Sequence, residues 1–185
     1  MDAPPPARAM TIPPGALDPR QAGDLLRASA AALRAELAAL PPALLTWHPA
    51  PGEWCAKEVL GHLIEAEQRG FAGRVRQILE STEEPRFAAW DQLAVARARR
   101  DCERDASVLL DELGALREAS VALVGRLRTG DLGRGGHHPA VGYLTIGDLL
   151  HEWVHHDRNH QKQILATVQA FVWPHMGNAQ RFSEP

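Results

Sequence analysis

Apolar residues recur at three- and four-residue spacing in four separate blocks, the pattern of helices that each bury one face. The first block uses Leu25, Leu26, Ala30, Leu33, Leu37 and Leu40. Asp18 can cap it, Pro19 suits a first helical position, and Pro41-Pro42 stops it. A second helix is expected from Ala56 to about Ser81, with Leu60, Ile64, Phe71, Val75, Ile78 and Leu79 facing inward. Its N-cap falls on Cys55, where Ser would be preferred, and Glu58 follows three residues later as in a capping box. A third helix extends from about Arg100 to Leu127 through Val108, Leu109, Leu113, Leu116, Val121, Leu123 and Val124. The fourth opens at Thr145-Ile146-Gly147-Asp148, another capping-box pattern, and ends near Trp173-Pro174.

The connections carry less information. Trp90 to Val95 lacks a clear period and reads as a loop with one helical turn. Gly130, Gly133, Gly135 and Gly136 read as a flexible connection through His137-His138-Pro139. No segment alternates convincingly as a strand. The expected fold class is therefore all-α, a four-helix bundle over residues 19–173. Pro4, Pro5, Pro6, Pro13 and Pro14 mark residues 1–18 as a disordered N-terminal tail, and residues 174–185 form a C-terminal tail.

The fourth helix is where the polar residues change the picture. Four of the nine histidines fall between His151 and His160. At 3.6 residues per turn, Leu149, Trp153, His156, His160, Ile164 and Phe171 share one apolar stripe. His151, His155, Arg158 and Lys162 share a second, charged stripe. A buried pair of imidazoles one turn apart is costly unless its nitrogens are satisfied, and a metal ion reached by both is one solution. The run His151-Glu152-Trp153-Val154-His155 also matches H-E-x-x-H, with Glu152 as the base of a metalloprotease. Its histidines fall on the polar stripe, and Asp157-Arg158-Asn159 continues without the glycine and third histidine of the extended motif. The protease reading is therefore the weaker one, and His156/His160 the better pair.

A third ligand has to come from a facing helix. The second helix offers His62, at the border of its apolar face, which taken alone reads as either a boundary histidine or a ligand. Three neutral imidazoles leave a coordination position open, as in catalytic sites. Glu58 and Glu65 neighbour His62, and Glu152 neighbours His156, so these carboxylates are the candidates for outer-shell or proton-transfer roles. Gln163 lies one turn beyond His160.

Composition sets the remaining bounds. A chain of 185 residues with 45% hydrophobic content and net charge −3 describes one ordinary domain, without the basic excess of a nucleic-acid binder. No apolar run is long enough to span a membrane. Two cysteines, Cys55 and Cys102, are too few for a disulfide framework and fit a reducing compartment, so a cytoplasmic location is expected. Arg97, Arg99, Arg100 and Arg104 read as a solvated helix face offset by Asp101, Glu103 and Asp105.

On these residues the chain resembles the DinB/YfiT-like superfamily of metal-dependent enzymes. The pattern of Trp, Glu and His near the start of the second helix is matched by Trp54-x3-Glu58-x3-His62. That of the fourth helix is matched by His156-x3-His160-x2-Gln163-Ile164. The likeness covers roughly Pro19 to Trp173, with one departure at Cys55, where the family commonly has Ser. The resemblance implies a divalent metal held by His62, His156 and His160, with zinc or nickel preferred and iron or manganese as alternatives. It implies an enzyme that activates water or a low-molecular-weight thiol against a small electrophilic substrate, a thiol transferase or a hydrolase, and a homodimer as partner state. The contrasting reading is a bundle that binds a metal or ligand without turnover.

Overall fold

The computed structural model describes residues 15–183. Residues 1–14, most of the expected N-terminal tail, lie outside the described residues. In chain order the helices are α1 (Pro19–Ala39), α2 (Pro42–Leu45), α3 (Ala56–Glu65), a π-helical turn (Ala66–Phe71), α4 (Ala72–Glu80), α5 (Gln92–Arg99), α6 (Ala106–Val124) and α7 (Ile146–Val172). A hairpin of β1 (Gly135–His138) and β2 (Gly142–Thr145) precedes α7, and short 3-10 turns follow it. The bundle consists of α1, the α3–π–α4 rod, α6 and α7. In it α1 packs on α6 and α7, and α3 packs on the same two helices.

The caps form as the sequence implies. Asp18 and Gln21 bond each other's backbone N–H at the start of α1, and Thr145 and Asp148 do the same at the start of α7. Glu58 Oε2 accepts the Cys55 N–H at 2.9 Å at the start of α3.

Four expectations are corrected. The long second helix is interrupted after Glu65 by the π-turn, which carries Glu67 into the core and stacks Phe71 flat on Trp153 with ring centroids 5.2 Å apart. Gly73 admits the wider turn, since a Cβ there would lie 2.2 Å from the Gln68 carbonyl oxygen. The third helix begins at Ala106, capped by Asp105, and the preceding residues form α5 and a separate 3-10 turn, Asp101–Glu103. In that turn Asp101 is buried and holds Arg99 and Arg104, so this part of the basic cluster is an internal ion network rather than a solvated face. The glycine-rich connection is the β hairpin, in the register Gly135↔Thr145. Its glycines serve close approach, because Cβ atoms on Gly135 and Gly136 would lie 2.3 Å from the Leu144 oxygen and 2.6 Å from the Pro85 oxygen.

The apolar core is divided in two. One cluster gathers Leu26, Phe71, Val75, Val124, Leu149 and Trp153, and the other gathers Leu33, Leu37, Leu60, Leu63, Leu113 and Ile164. A belt of buried polar residues lies between these clusters: Ser29 on α1, Glu65 at the end of α3, Glu67 in the π-turn, Arg117 and Ser120 on α6, and Asp157 on α7. Arg117 sits at the centre of this belt. It donates to Glu67 Oε2 at 2.9 Å, to both Asp157 oxygens, and to the Leu26 carbonyl at 2.9 Å. Glu67 also accepts the Trp153 indole N–H at 2.9 Å. Burial alone would lower the Arg117 pKa, but Asp157 and Glu67 outweigh it and keep the guanidinium charged.

Gly61 shows how tightly α3 meets the Asp101 turn. A Cβ there would fall 1.7 Å from Asp101 Oδ2, a carboxylate fixed by two arginines. In an open helix Gly→Ala stabilises by about 1 kcal/mol. Here Gly61→Ala is expected to destabilise instead, by about 1–3 kcal/mol as in other overpacked positions. Urea denaturation with an unchanged m-value would show this sign reversal.

Candidate metal centre

His62 lies on α3 two turns after its Cys55 cap, and His156 and His160 lie one turn apart on the facing α7. The three imidazoles converge: His62 Nε2 is 3.0 Å from His156 Nε2, and ligand atoms of all three residues lie within 4.8 Å of one another. His160 Nδ1 bonds Gln163 Oε1 at 2.8 Å, which leaves its Nε2 free for the centre. Trp54 tilts against His62 with centroids 5.0 Å apart, Trp90 stacks on it at 6.0 Å, and the edge of His156 meets Phe71 at 5.2 Å. The centre is thus set in aromatic walls at one edge of the polar belt.

Electrostatics suit it to a cation. Burial, reinforced by His160, lowers the His62 pKa to about 4. Burial, with His160 and His62 beside it, lowers His156 to about 3. Burial also lowers His160, partly offset by Gln163. All three are therefore neutral near pH 7, the form that ligates metal. Two Nε2 atoms face each other in a part-buried contact, and one proton between them can satisfy the pair only as a single hydrogen bond. The buried Nδ1 atoms of His62 and His156 have no hydrogen-bond partner among the described residues. This donor set, three neutral imidazoles with a shared focus, fits a divalent first-row ion with an open coordination position.

The same shifts predict a pH effect on the metal-free protein. In the unfolded chain these histidines protonate near pH 6.5, whereas folded His62 and His156 resist protonation down to about pH 4 and about pH 3. Between those limits the unfolded state binds more protons, so stability falls as the pH drops, by about 1 kcal/mol per pH unit for each such imidazole. Chemical denaturation of chelator-treated protein at pH 7, 6 and 5 measures it, and His156→Phe should flatten the slope.

The other sequence candidates are placed elsewhere. His151 accepts the Leu17 N–H at 2.9 Å and lies 2.7 Å from the Gly147 carbonyl, while His155 is exposed beside Asn159. Neither belongs to a group of converging ligand atoms among the described residues, so H-E-x-x-H does not assemble a site. Glu58 bonds His48 at 2.9 Å and the Cys55 N–H, not His62. Glu65 is tied to Arg69 and Arg99; burial would raise its pKa, but the two guanidinium groups prevail and keep it ionised. Glu152 alone of the three carboxylates lines the cleft that the centre opens into.

That cleft has a volume of about 990 Å³ and is bordered by the π-turn, the start of α4, the segment around Trp90, the hairpin and α7. His62 and His156 form part of its lining, with Phe71, Val141 and Leu149 as apolar wall. Arg74 also lines it, half-buried and placed over Phe87 at 5.5 Å, with no carboxylate partner among the described residues. Arg74 and the hairpin wall went unread in the sequence. Glycines at 135 and 136 next to an apolar Tyr143-Leu144 pair were the available signal for the hairpin. Nothing in the sequence marks Arg74.

Similar folds are found among solved structures. YfiT from Bacillus subtilis, described as "a probable metal-dependent hydrolase with an unusual four-helix bundle topology", aligns with TM-score 0.76 at 22% identity over 88% of this chain and 94% of its own. A conserved protein from Enterococcus faecalis aligns with TM-score 0.58 at 14% identity over 84% of this chain and 98% of its own. No curated protein sequence matches the chain significantly. The sequence model of the DinB superfamily matches residues 25–164, a span that contains α3, the part of α7 up to Ile164 and all three converging histidines, and the chain belongs to that superfamily.

Proposed function

We propose that the protein is a metal-dependent hydrolase of a small electrophilic substrate, with His62, His156 and His160 as the metal ligands. The observation that carries this reading is the convergence of three neutral imidazoles on one focus, two of which, His62 and His156, line the cleft. The likeness to YfiT, itself described as a probable metal-dependent hydrolase, points the same way. A divalent ion on these residues supplies a Lewis acid that polarises a carbonyl and acidifies water.

The chain's own groups do the rest. Gln163 fixes the ring of His160 through its Nδ1. Phe71, Val141 and Leu149 exclude water from the substrate and hold its apolar part, while Arg74 orients an anionic or strongly polar group. Glu152, exposed at the cleft border, moves the proton between water and leaving group through its carboxylate oxygens. Glu152→Gln is expected to lower kcat by about 10²–10⁴-fold, the usual worth of a general acid or base, with bound metal unchanged. Hydrolysis of an activated ester series by zinc-loaded protein tests this; consumption of an added small thiol with the same electrophiles would instead indicate thiol transfer. Absence of turnover with both acceptors would point to a bundle that binds without catalysis.

A further inference from the structure

A second convergence of ligand atoms lies outside the three-histidine centre. His48, in the segment between α2 and α3, meets Cys55 and Glu58 at the start of α3 and Cys102 in the 3-10 turn before α6, and ligand atoms of all four lie within 4.8 Å of one another. His48 Nε2 is 2.9 Å from Glu58 Oε2 and 3.8 Å from Cys102 Sγ. The two sulfurs are bonded in this structure, which corrects the expectation of reduced cysteines. Their Cα atoms stand 7.0 Å apart, at the outer edge of what bridged cysteines span. Two sulfurs sharing a tetrahedral zinc, at about 2.3 Å each, sit further apart than bonded sulfurs do, and Cα atoms at this spacing suit that arrangement.

The donor types agree with that geometry. Two thiolates, an imidazole and a carboxylate form a complete four-donor shell of the kind that holds structural zinc. Cys55 occupies the N-cap of α3, where the helix dipole favours negative charge on its sulfur. Cys102 and His48 stand near the surface, so an ion has an entry path.

We propose that His48, Cys55, Glu58 and Cys102 form a second, structural zinc site, open to metal when the cysteines are reduced and closed when they are bonded. Two equivalents of a small thiol reduce the bond, giving two protein thiols and the disulfide of the reductant. Zinc then displaces one proton from each thiol. The site ties two other segments, the one carrying His48 and the turn carrying Cys102, to the N-terminus of α3, two turns ahead of His62, so its loading steadies the helix that presents the first centre.

Cobalt titration of the tag-free full-length chain tests this, with one sample reduced by a water-soluble phosphine and one left oxidised. The reduced protein is expected to take two cobalt ions per chain, one of them with a thiolate-to-cobalt charge-transfer band. Cys102→Ala should bind one ion without that band, and oxidised wild type should do the same. His156→Ala should keep the band while losing the other ion. Mass spectrometry of alkylated protein gives a readout independent of variants: zinc should slow alkylation of Cys55 and Cys102 at least tenfold in reduced wild type. Equal cobalt stoichiometry in reduced wild type and Cys102→Ala, or alkylation indifferent to zinc, would overturn the proposal. Neither result would bear on the three-histidine centre, because the two sites share no residue.

Discussion

Arg117→Leu is expected to remove about 3–5 kcal/mol of unfolding free energy, a large part of the 5–15 kcal/mol typical of a domain. The guanidinium is 3% exposed and faces two carboxylates, Glu67 and Asp157, each 1% exposed. Leucine fills much of the volume, so the loss comes from electrostatics. The two carboxylates would remain at the centre of the bundle without a cation, and the Leu26 carbonyl would lose its donor. Either they take up protons or water enters the core. The triple variant Arg117→Leu, Glu67→Gln, Asp157→Asn should therefore recover a good part of the loss, because it removes the stranded charges rather than the contact alone. Urea denaturation of the single and triple variants measures both. A loss below about 1 kcal/mol in the single variant would mean that the belt is wet and screened.

The same residues explain why the belt matters to the metal centre. Arg117 joins the π-turn after α3 to Asp157 on α7, the neighbour of His156. It thus clamps together the two rods that supply the histidines.

The second large effect is thermal. Metal that binds the folded centre and not the unfolded chain stabilises by RT ln(1 + [L]/Kd), about 4 kcal/mol at a thousandfold excess over Kd. For a domain of this size that corresponds to a rise in Tm of about 8–16 °C. The rise should disappear in His160→Ala and in chelated wild type, and persist in His151→Ala. Disulfide-intact protein is the proper sample, since it isolates the three-histidine centre from Cys55 and Cys102. The apparent shift will be smaller where zinc also binds the unfolded chain. An unchanged Tm in all samples would mean that the converging imidazoles hold no ion.

Much of the bundle was legible because its signals are local. Asp18-Pro19 and Thr145 to Asp148 announce helix starts, and the stripe through Trp153, His156 and His160 sorts one face of α7 from the other. That sorting set His156 and His160 apart from His151 and His155, and the structure places His62 against the first pair. The missed features depend on contacts distant in sequence. The π-turn follows from Glu67 and Phe71 meeting Arg117 and Trp153, residues 50 and 82 positions away that no window of α3 contains. Arg117 finds its partners on three other elements, so no local pattern in the sequence marks it as buried. The start of α6 was misplaced because Arg100 to Arg104 continue a helical pattern, while Asp101 is drawn into a turn by Arg99 and Arg104. Glycines 135 and 136 suggested freedom, whereas packing against Leu144 and Pro85 requires them.

His62, His156 and His160 are expected to hold one metal ion. Elemental mass spectrometry of tag-free, disulfide-intact protein tests it most directly, with wild type beside His62→Ala, His156→Ala and His151→Ala. Near-stoichiometric metal in wild type and His151→Ala, lost in His62→Ala and His156→Ala, is the expected result. Metal that survives in His156→Ala but is lost in His151→Ala would contradict it and return the site to the H-E-x-x-H face of α7.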